Sequence, residues 1–186
     1  ERNIVHDVTG KVLGSFAFLW GQKQERTPTW YGMFNESGDK TARVDELTRI
    51  WSGAYPDNRA PQAESITLNG KQPRDSVTLR AGEGASARLV VADPDGDVLS
   101  TEWRLMQEVA TRSDGGHFEA KPESLPIKII TVNTGRDADN RFFVEIELEA
   151  PTQAGEYRLF SYSYDGHHHV ANANIPFKVI DSIVLP

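Results

Sequence analysis

The chain contains no cysteine, which excludes disulfides and thiolate chemistry alike. That absence suits a cytosolic protein and a secreted bacterial one equally, so it leaves the compartment open. No apolar run approaches the ~20 residues that a membrane-spanning helix needs, and no signal peptide is visible. Positive charge is also scarce. Against 27 Asp and Glu there are 20 Lys and Arg, a formal net charge of -7, which gives no electrostatic reason to expect nucleic acid or an anionic membrane surface as a partner. There is no phosphate-cradling Gly-rich loop ahead of a helix, no Ser/His/Asp order and no basic aromatic patch. Internal repeats and low-complexity tracts are missing too.

What remains is ordinary globular material. The 186 residues are 38% hydrophobic and 25% charged, enough for one large domain or a small one with a substantial appendage. The chain opens on Glu1 rather than Met, so a processed or truncated product is expected.

Two regions follow different patterns. In the first, Val12-Leu13-Gly14-Ser15-Phe16-Ala17-Phe18-Leu19-Trp20 is almost continuously apolar. Such a run without alternation predicts a strand buried on both faces, as in a parallel sheet or barrel. After a long polar and aromatic loop, Ser37 or Asp39 is expected to cap a helix running through Arg49. Val44, Leu47, Ile50 and Trp51 share its apolar face, and Gly53 stops it. The prediction is one strand-loop-helix unit over residues 1–55, which cannot close a core by itself.

Residues 56–63, rich in Pro and polar residues, read as a linker. From 64 to 181 the period becomes two. Val144, Ile146 and Leu148 alternate with Glu145, Glu147 and Glu149, and shorter alternating runs lie near 65–69, 77–79, 85–91, 103–105, 126–132, 156–164 and 173–180. Asn69-Gly70, Asp95-Gly96, Gly115-Gly116 and Asp165-Gly166 supply turns. Seven or eight short strands in this span predict an immunoglobulin-like antiparallel β-sandwich, so the fold class expected is mainly β.

The loop after Trp20 carries the first candidate site. An indole offers a flat face to the C–H side of a sugar ring, and Gln22, Gln24 and Glu25 can satisfy hydroxyls. Packing is the competing reading. Composition favours packing for Trp30 and Tyr31 and leaves Trp20 evenly divided.

Gly14-Ser15-Phe16-Ala17-Phe18-Leu19-Trp20-Gly21, followed by Thr27-Pro28-Thr29-Trp30-Tyr31-Gly32-Met33-Phe34, resembles the last β/α unit of a (β/α)8 glycoside hydrolase barrel of the family 2 type. The resemblance covers residues 1–55. It implies that Trp20 forms the floor of a sugar subsite and makes Gln22, Gln24, Glu25 and Trp30 candidate substrate contacts. It also implies that the catalytic glutamates stand on the fourth and seventh barrel strands, outside this chain. A barrel needs ~250 residues. The chain alone is therefore expected to be catalytically inert, its natural partner being the remaining barrel and, through it, carbohydrate. An extracellular or periplasmic location goes with that reading. Self-association through the orphaned strand is expected if no barrel receives it.

"ADPDGDVLSTEW", residues 92–103, resembles the B–C turn of cadherin-like and PKD-like sandwiches, with Trp103 at the core position and Tyr157 as a tyrosine-corner candidate. Asp93, Asp95 and Asp97, with Asp165, are candidate Ca²⁺ ligands, since calcium takes six to eight oxygens. The alternative is that these residues are simply turn formers. EF-hand spacing is absent, because the twelfth position from Asp93 is Arg104. In His167-His168-His169, adjacent residues face opposite ways, so three in a row do not converge on one zinc; His167 and His169 can share a face with a carboxylate, but a solvated hairpin end is the reading expected.

The function expected is thus a non-catalytic C-terminal part of a carbohydrate-active enzyme. The alternative is a binding sandwich for glycan or protein, stabilised by calcium.

Overall fold

Alternation in the sequence becomes inside and outside in the structure, a computed structural model that describes residues 6–110 and 117–181. Eleven strands and one helix are formed by these residues. In chain order they are β1 (Gln22–Glu25), β2 (Thr27–Gly32), α1 (Ala42–Ser52), β3 (Gln62–Leu68), β4 (Val77–Arg80), β5 (Gly84–Ala92), β6 (Ser100–Gln107), β7 (Ser124–Leu125), β8 (Ile129–Arg136), β9 (Phe142–Glu149), β10 (Gly155–Tyr164) and β11 (Val170–Ile180).

Two sheets make the sandwich, one in the order β3-β5-β9-β8 and the other β4-β11-β10-β6-β7. Their inner faces meet in one core. Leu89, Val144, Ile146 and Leu148 come from the first sheet; Leu79, Leu105, Leu159, Ile175 and Val179 come from the second. The glutamates of β9 point the other way, as its alternation requires. Pairing is antiparallel except at one edge, where β4 lies parallel to β11, Val77 opposite Phe177. The chain crosses between sheets after β3 and so reaches that edge running in the same direction as β11.

Trp103 lies in the core, and the Tyr157 hydroxyl donates to the Gln153 carbonyl at 2.8 Å, four residues upstream. Both places read from the sandwich resemblance are filled as expected. Asn69 and Gly70 both take positive φ in the turn after β3. The Gly115-Gly116 turn lies outside the described residues.

The N-terminal region differs from expectation. Residues 12–20 form no strand, and Leu13 and Phe16 are fully exposed. A strand needs a partner edge, and among the described residues no strand pairs with the segment. Its local order comes from Asp7, whose carboxylate accepts the N–H groups of Thr9, Lys11 and Val12. The Thr9 hydroxyl, which donates to the same carboxylate at 2.6 Å, and after it those N–H groups hold the Asp7 carboxyl down at about 2. The stretch read as a loop instead forms the β1–β2 hairpin. The helix begins later than expected, with Thr41 at its N-cap, because Ser37 and Asp39 bond to Asn35 and to each other within the preceding loop. Gly53 ends it in the left-handed conformation, as read.

A second apolar cluster, Met106, Phe160, Tyr162 and Val170, stands on the outer face of the five-stranded sheet. It makes β10 buried on both sides over residues 159–163. The hairpin and the loop after it lie over this face. Asn174 Nδ2 donates to Thr29 Oγ1 at 3.3 Å, and Asn35 Nδ2 donates to the Tyr164 hydroxyl at 3.4 Å. Each large apolar side chain so covered contributes about 1.5–3 kcal/mol of transfer free energy.

Candidate functional site

The candidate sugar contacts Trp20, Gln22, Gln24, Glu25 and Trp30 fall on and beside the hairpin, but they do not converge on one pocket. On β1 alternate side chains face opposite ways. Gln22 donates to the Pro28 carbonyl at 3.2 Å, and Gln24 donates to Glu119 at 3.0 Å, so both amides serve the packing of the hairpin. Glu119 is buried and also accepts the Arg26 N–H at 2.6 Å. It anchors the hairpin tip from 93 residues away, and nothing local in the sequence marks it. On the other face Glu25 pairs with Lys23 at 2.5 Å.

The aromatic residues behave differently. Trp20 is 59% exposed, Trp30 57% and Trp51 68%. Trp20 packs edge-on against Phe34 at 5.2 Å and lies 6.2 Å from Trp51, tilted by 34°. Trp30 stacks on Tyr31 at 5.6 Å, and Phe18 meets Tyr31 edge-on at 5.3 Å. The apolar stripe of α1 joins this surface at its far end, since Val44 is buried while Ile50 and Trp51 are exposed. Trp51 is legible as the last apolar residue of the helical stripe; its pairing with Trp20 is not. The result is an exposed aromatic face with three exposed indoles, Trp20, Trp30 and Trp51, and the apolar segment 12–18 beside it.

The acidic turn after β5 forms a second candidate site. Asp93, Asp95 and Asp97 can bring one oxygen each within 4.8 Å of one another. Asp93 Oδ1 accepts the N–H groups of Asp95, Gly96 and Asp97, which is the turn-forming role. Its other oxygen, Oδ2, is buried without a hydrogen-bond partner, and so is Asn58 Oδ1. Asn58 Nδ2 donates to Asp97 at 2.7 Å, and the Arg59 N–H donates to Asp95 at 2.7 Å, tying residues 58–59 to the turn. Asp165 does not join the group. Its Oδ1 accepts the N–H groups of His167 and His169, and its Oδ2 lies 2.6 Å from His169 Nδ1.

That pair corrects one expectation. His169 is 3% exposed, not solvated, whereas His168 stands out in water and His167 approaches Asp97 at 3.8 Å. The hairpin end is folded inward because the chain after β2 adds to it. The Lys40 N–H donates to the His168 carbonyl at 2.9 Å, and the Val170 N–H donates to the Lys40 carbonyl at 2.8 Å.

No helix among the described residues is long and apolar enough to cross a membrane. No protein-family model and no curated protein matches the chain. Among solved structures it is similar to PcoC, a methionine-rich copper resistance protein from Escherichia coli, at 18% identity over 65% of this chain and 99% of that one, with a TM-score of 0.35. It is similar to a nucleoside hydrolase-related hypothetical protein from Saccharophagus degradans that is associated with carbohydrate metabolism, at 16% identity and a TM-score of 0.34. That match covers 76% of this chain but 31% of the other. The titin M3 domain is similar at 15% identity over 66% of this chain and 97% of that domain, with a TM-score of 0.28. At this level of likeness the chain is described by its own sheets, as a mainly β protein with a β-sandwich, a separate hairpin and one short helix.

Proposed function

We propose that this chain is the C-terminal part of a carbohydrate-active enzyme, in which residues 12–20 complete a larger catalytic body and the β-sandwich is an accessory domain. The observation that carries the reading is the exposed aromatic face. Leu13, Phe16, Phe18, Trp20 and Trp51 leave in water a large apolar area that a soluble protein ordinarily covers. The segment next to it has the composition of a buried strand, and its resemblance is to the eighth strand of a glycoside hydrolase barrel. Supplied with the missing strands, Trp20 would stand at the mouth of a barrel with its indole free to take a sugar ring. A retaining or inverting pair of carboxyl groups would come from that body. Gln22 and Gln24 are engaged in packing, so their role in this reading is to hold the hairpin wall rather than to touch sugar. The test is sugar turnover by the longer protein carrying Trp20→Ala. Activity falls if the reading holds, and wild-type kinetics count against it.

A second reading concerns calcium at the acidic turn. It is favoured by two buried oxygens without partners, Asp93 Oδ2 and Asn58 Oδ1, beside the carboxylates of Asp95 and Asp97. An all-oxygen set with several carboxylates fits a hard cation. Bound there, Ca²⁺ would stiffen the passage between α1 and β3. Calcium at 100-fold its Kd would stabilise the fold by about 2.7 kcal/mol. A melting temperature that is the same in calcium and in chelator rules this reading out.

A further inference from the structure

We propose that the buried Asp165–His169 pair is a positioning clasp for the aromatic face: it fixes the hairpin end on which the loop after β2 hangs, and through Phe34 it sets the orientation of Trp20. The proposal rests on the reading of that face as the working surface of the protein. The physical path is continuous. Trp20 packs edge-on against Phe34, and Phe34 bridges to Lys40 across the loop. Lys40 then bridges to His169, with hydrogen bonds running to His168 and from Val170.

The hairpin end needs a device of this kind because its backbone is costly. Of the five residues that link β10 to β11, Gly166 takes φ +82° without steric cost, but His168 is held at φ +65°, where a side chain is disfavoured. Asp165 stabilises that geometry from inside. Its side chain is fully buried, Oδ1 accepts the N–H groups of His167 and His169, and Oδ2 accepts from His169 Nδ1. One carboxylate thus satisfies two backbone donors and one imidazole where water does not reach. Removing the imidazole leaves Oδ2 without its partner and opens space beside the Lys40–His169 bridge. Loosening is then directed into the loop that carries Phe34, not into the sandwich core on the opposite face of the sheet.

The experiment is residue-resolved hydrogen exchange and near-ultraviolet circular dichroism on the whole chain, for wild type, His169→Ala and Asp165→Asn. In His169→Ala the protection of the Val170 and Lys40 amides falls about tenfold or more, the effect expected when one buried polar group loses its partner. Protection of Ile146 and Leu159 in the sandwich core stays at the wild-type level. The aromatic dichroism of the Trp20–Trp51 pair weakens in the same variant. Asp165→Asn retains Oδ1 as an acceptor and its amide can donate to Nδ1, but that tautomer puts the proton on Nε2, which is buried without a partner, so both signals fall by less than in His169→Ala. The clasp is overturned if protection at Lys40 and Val170 is unchanged or falls only in step with Ile146 and Leu159. It is equally overturned if the loop loosens while the tryptophan dichroism stays the same. None of these signals requires a sugar, so a failed clasp and a failed carbohydrate reading are distinguishable.

Discussion

Tyr162 shows how a single residue is pulled in two directions by its surroundings. Its ring belongs to the apolar cluster under the hairpin, and Arg104 lies 4.9 Å from the ring centroid. Its hydroxyl is buried without a hydrogen-bond partner. Burial first, and the carboxylates of Glu36 and Glu102 after it, push the phenol well above its ordinary value of 10.0, with Arg104 opposing. The folded state therefore holds this proton more tightly than the unfolded chain. The stability linked to it is complete below about pH 10 and is lost as pH rises above that value. Tyr162→Phe should be neutral or stabilising by about 1 kcal/mol, because it removes an unsatisfied polar group and little packing. It should also flatten the alkaline limb of the stability curve. Tyr164, raised by burial as well, contributes a slope of the same sign. Urea titrations at neutral pH and near pH 11 measure both effects. A variant clearly less stable at neutral pH would show that the hydroxyl has a partner after all.

At the scale of elements, what could be read from sequence was decided by whether a strand buries one face. In β9 the run Val144, Ile146, Leu148 set against three glutamates has one meaning, and β5, β6 and β11 follow the same logic closely enough to be placed, whereas β10 is buried on both faces over 159–163. The β1–β2 hairpin carries no such signal. Gln22, Lys23, Gln24 and Glu25 are polar on both faces, and the strand exists through its register with Lys23 opposite Tyr31. Segment 12–20 failed in the opposite sense. Its composition fits a strand, but strand formation depends on a partner edge that composition does not supply. Alternation allows His167 and His169 to share a face with a carboxylate, but does not foresee that His169 alone turns inward, to an Asp four residues earlier, while His167 approaches Asp97. The hairpin depends on Gly32, where φ is +104° and a Cβ would sit 2.5 Å from the Gly21 carbonyl oxygen. Gly32→Ala should therefore cost more than about 1 kcal/mol, measured by chemical denaturation, and should expose the Phe160 cluster to an apolar dye. A silent Gly32→Ala would mean that the hairpin is not fixed on the sheet as described.

For the whole molecule, the sandwich is self-sufficient in core and topology, while the N-terminal region faces two ways. One side of it is joined to β10 and β11 through Asn35, Lys40 and Thr29. The other presents Phe16, Phe18, Trp20, Trp30 and Trp51 to water. A surface of that kind, held firmly from behind and left open in front, is what an accessory domain bracing one wall of a larger site would display. The central claim is that Trp20 lines a carbohydrate cleft completed by another part of a longer protein. The most direct test is the kcat/KM of that protein on plant and cell-wall glycans with Trp20 replaced by alanine, alongside the melting curve of each form. The account predicts a fall of about a hundredfold or more while the melting curve shows the variant still folded, the loss being one of substrate positioning. An unchanged kcat/KM would contradict it.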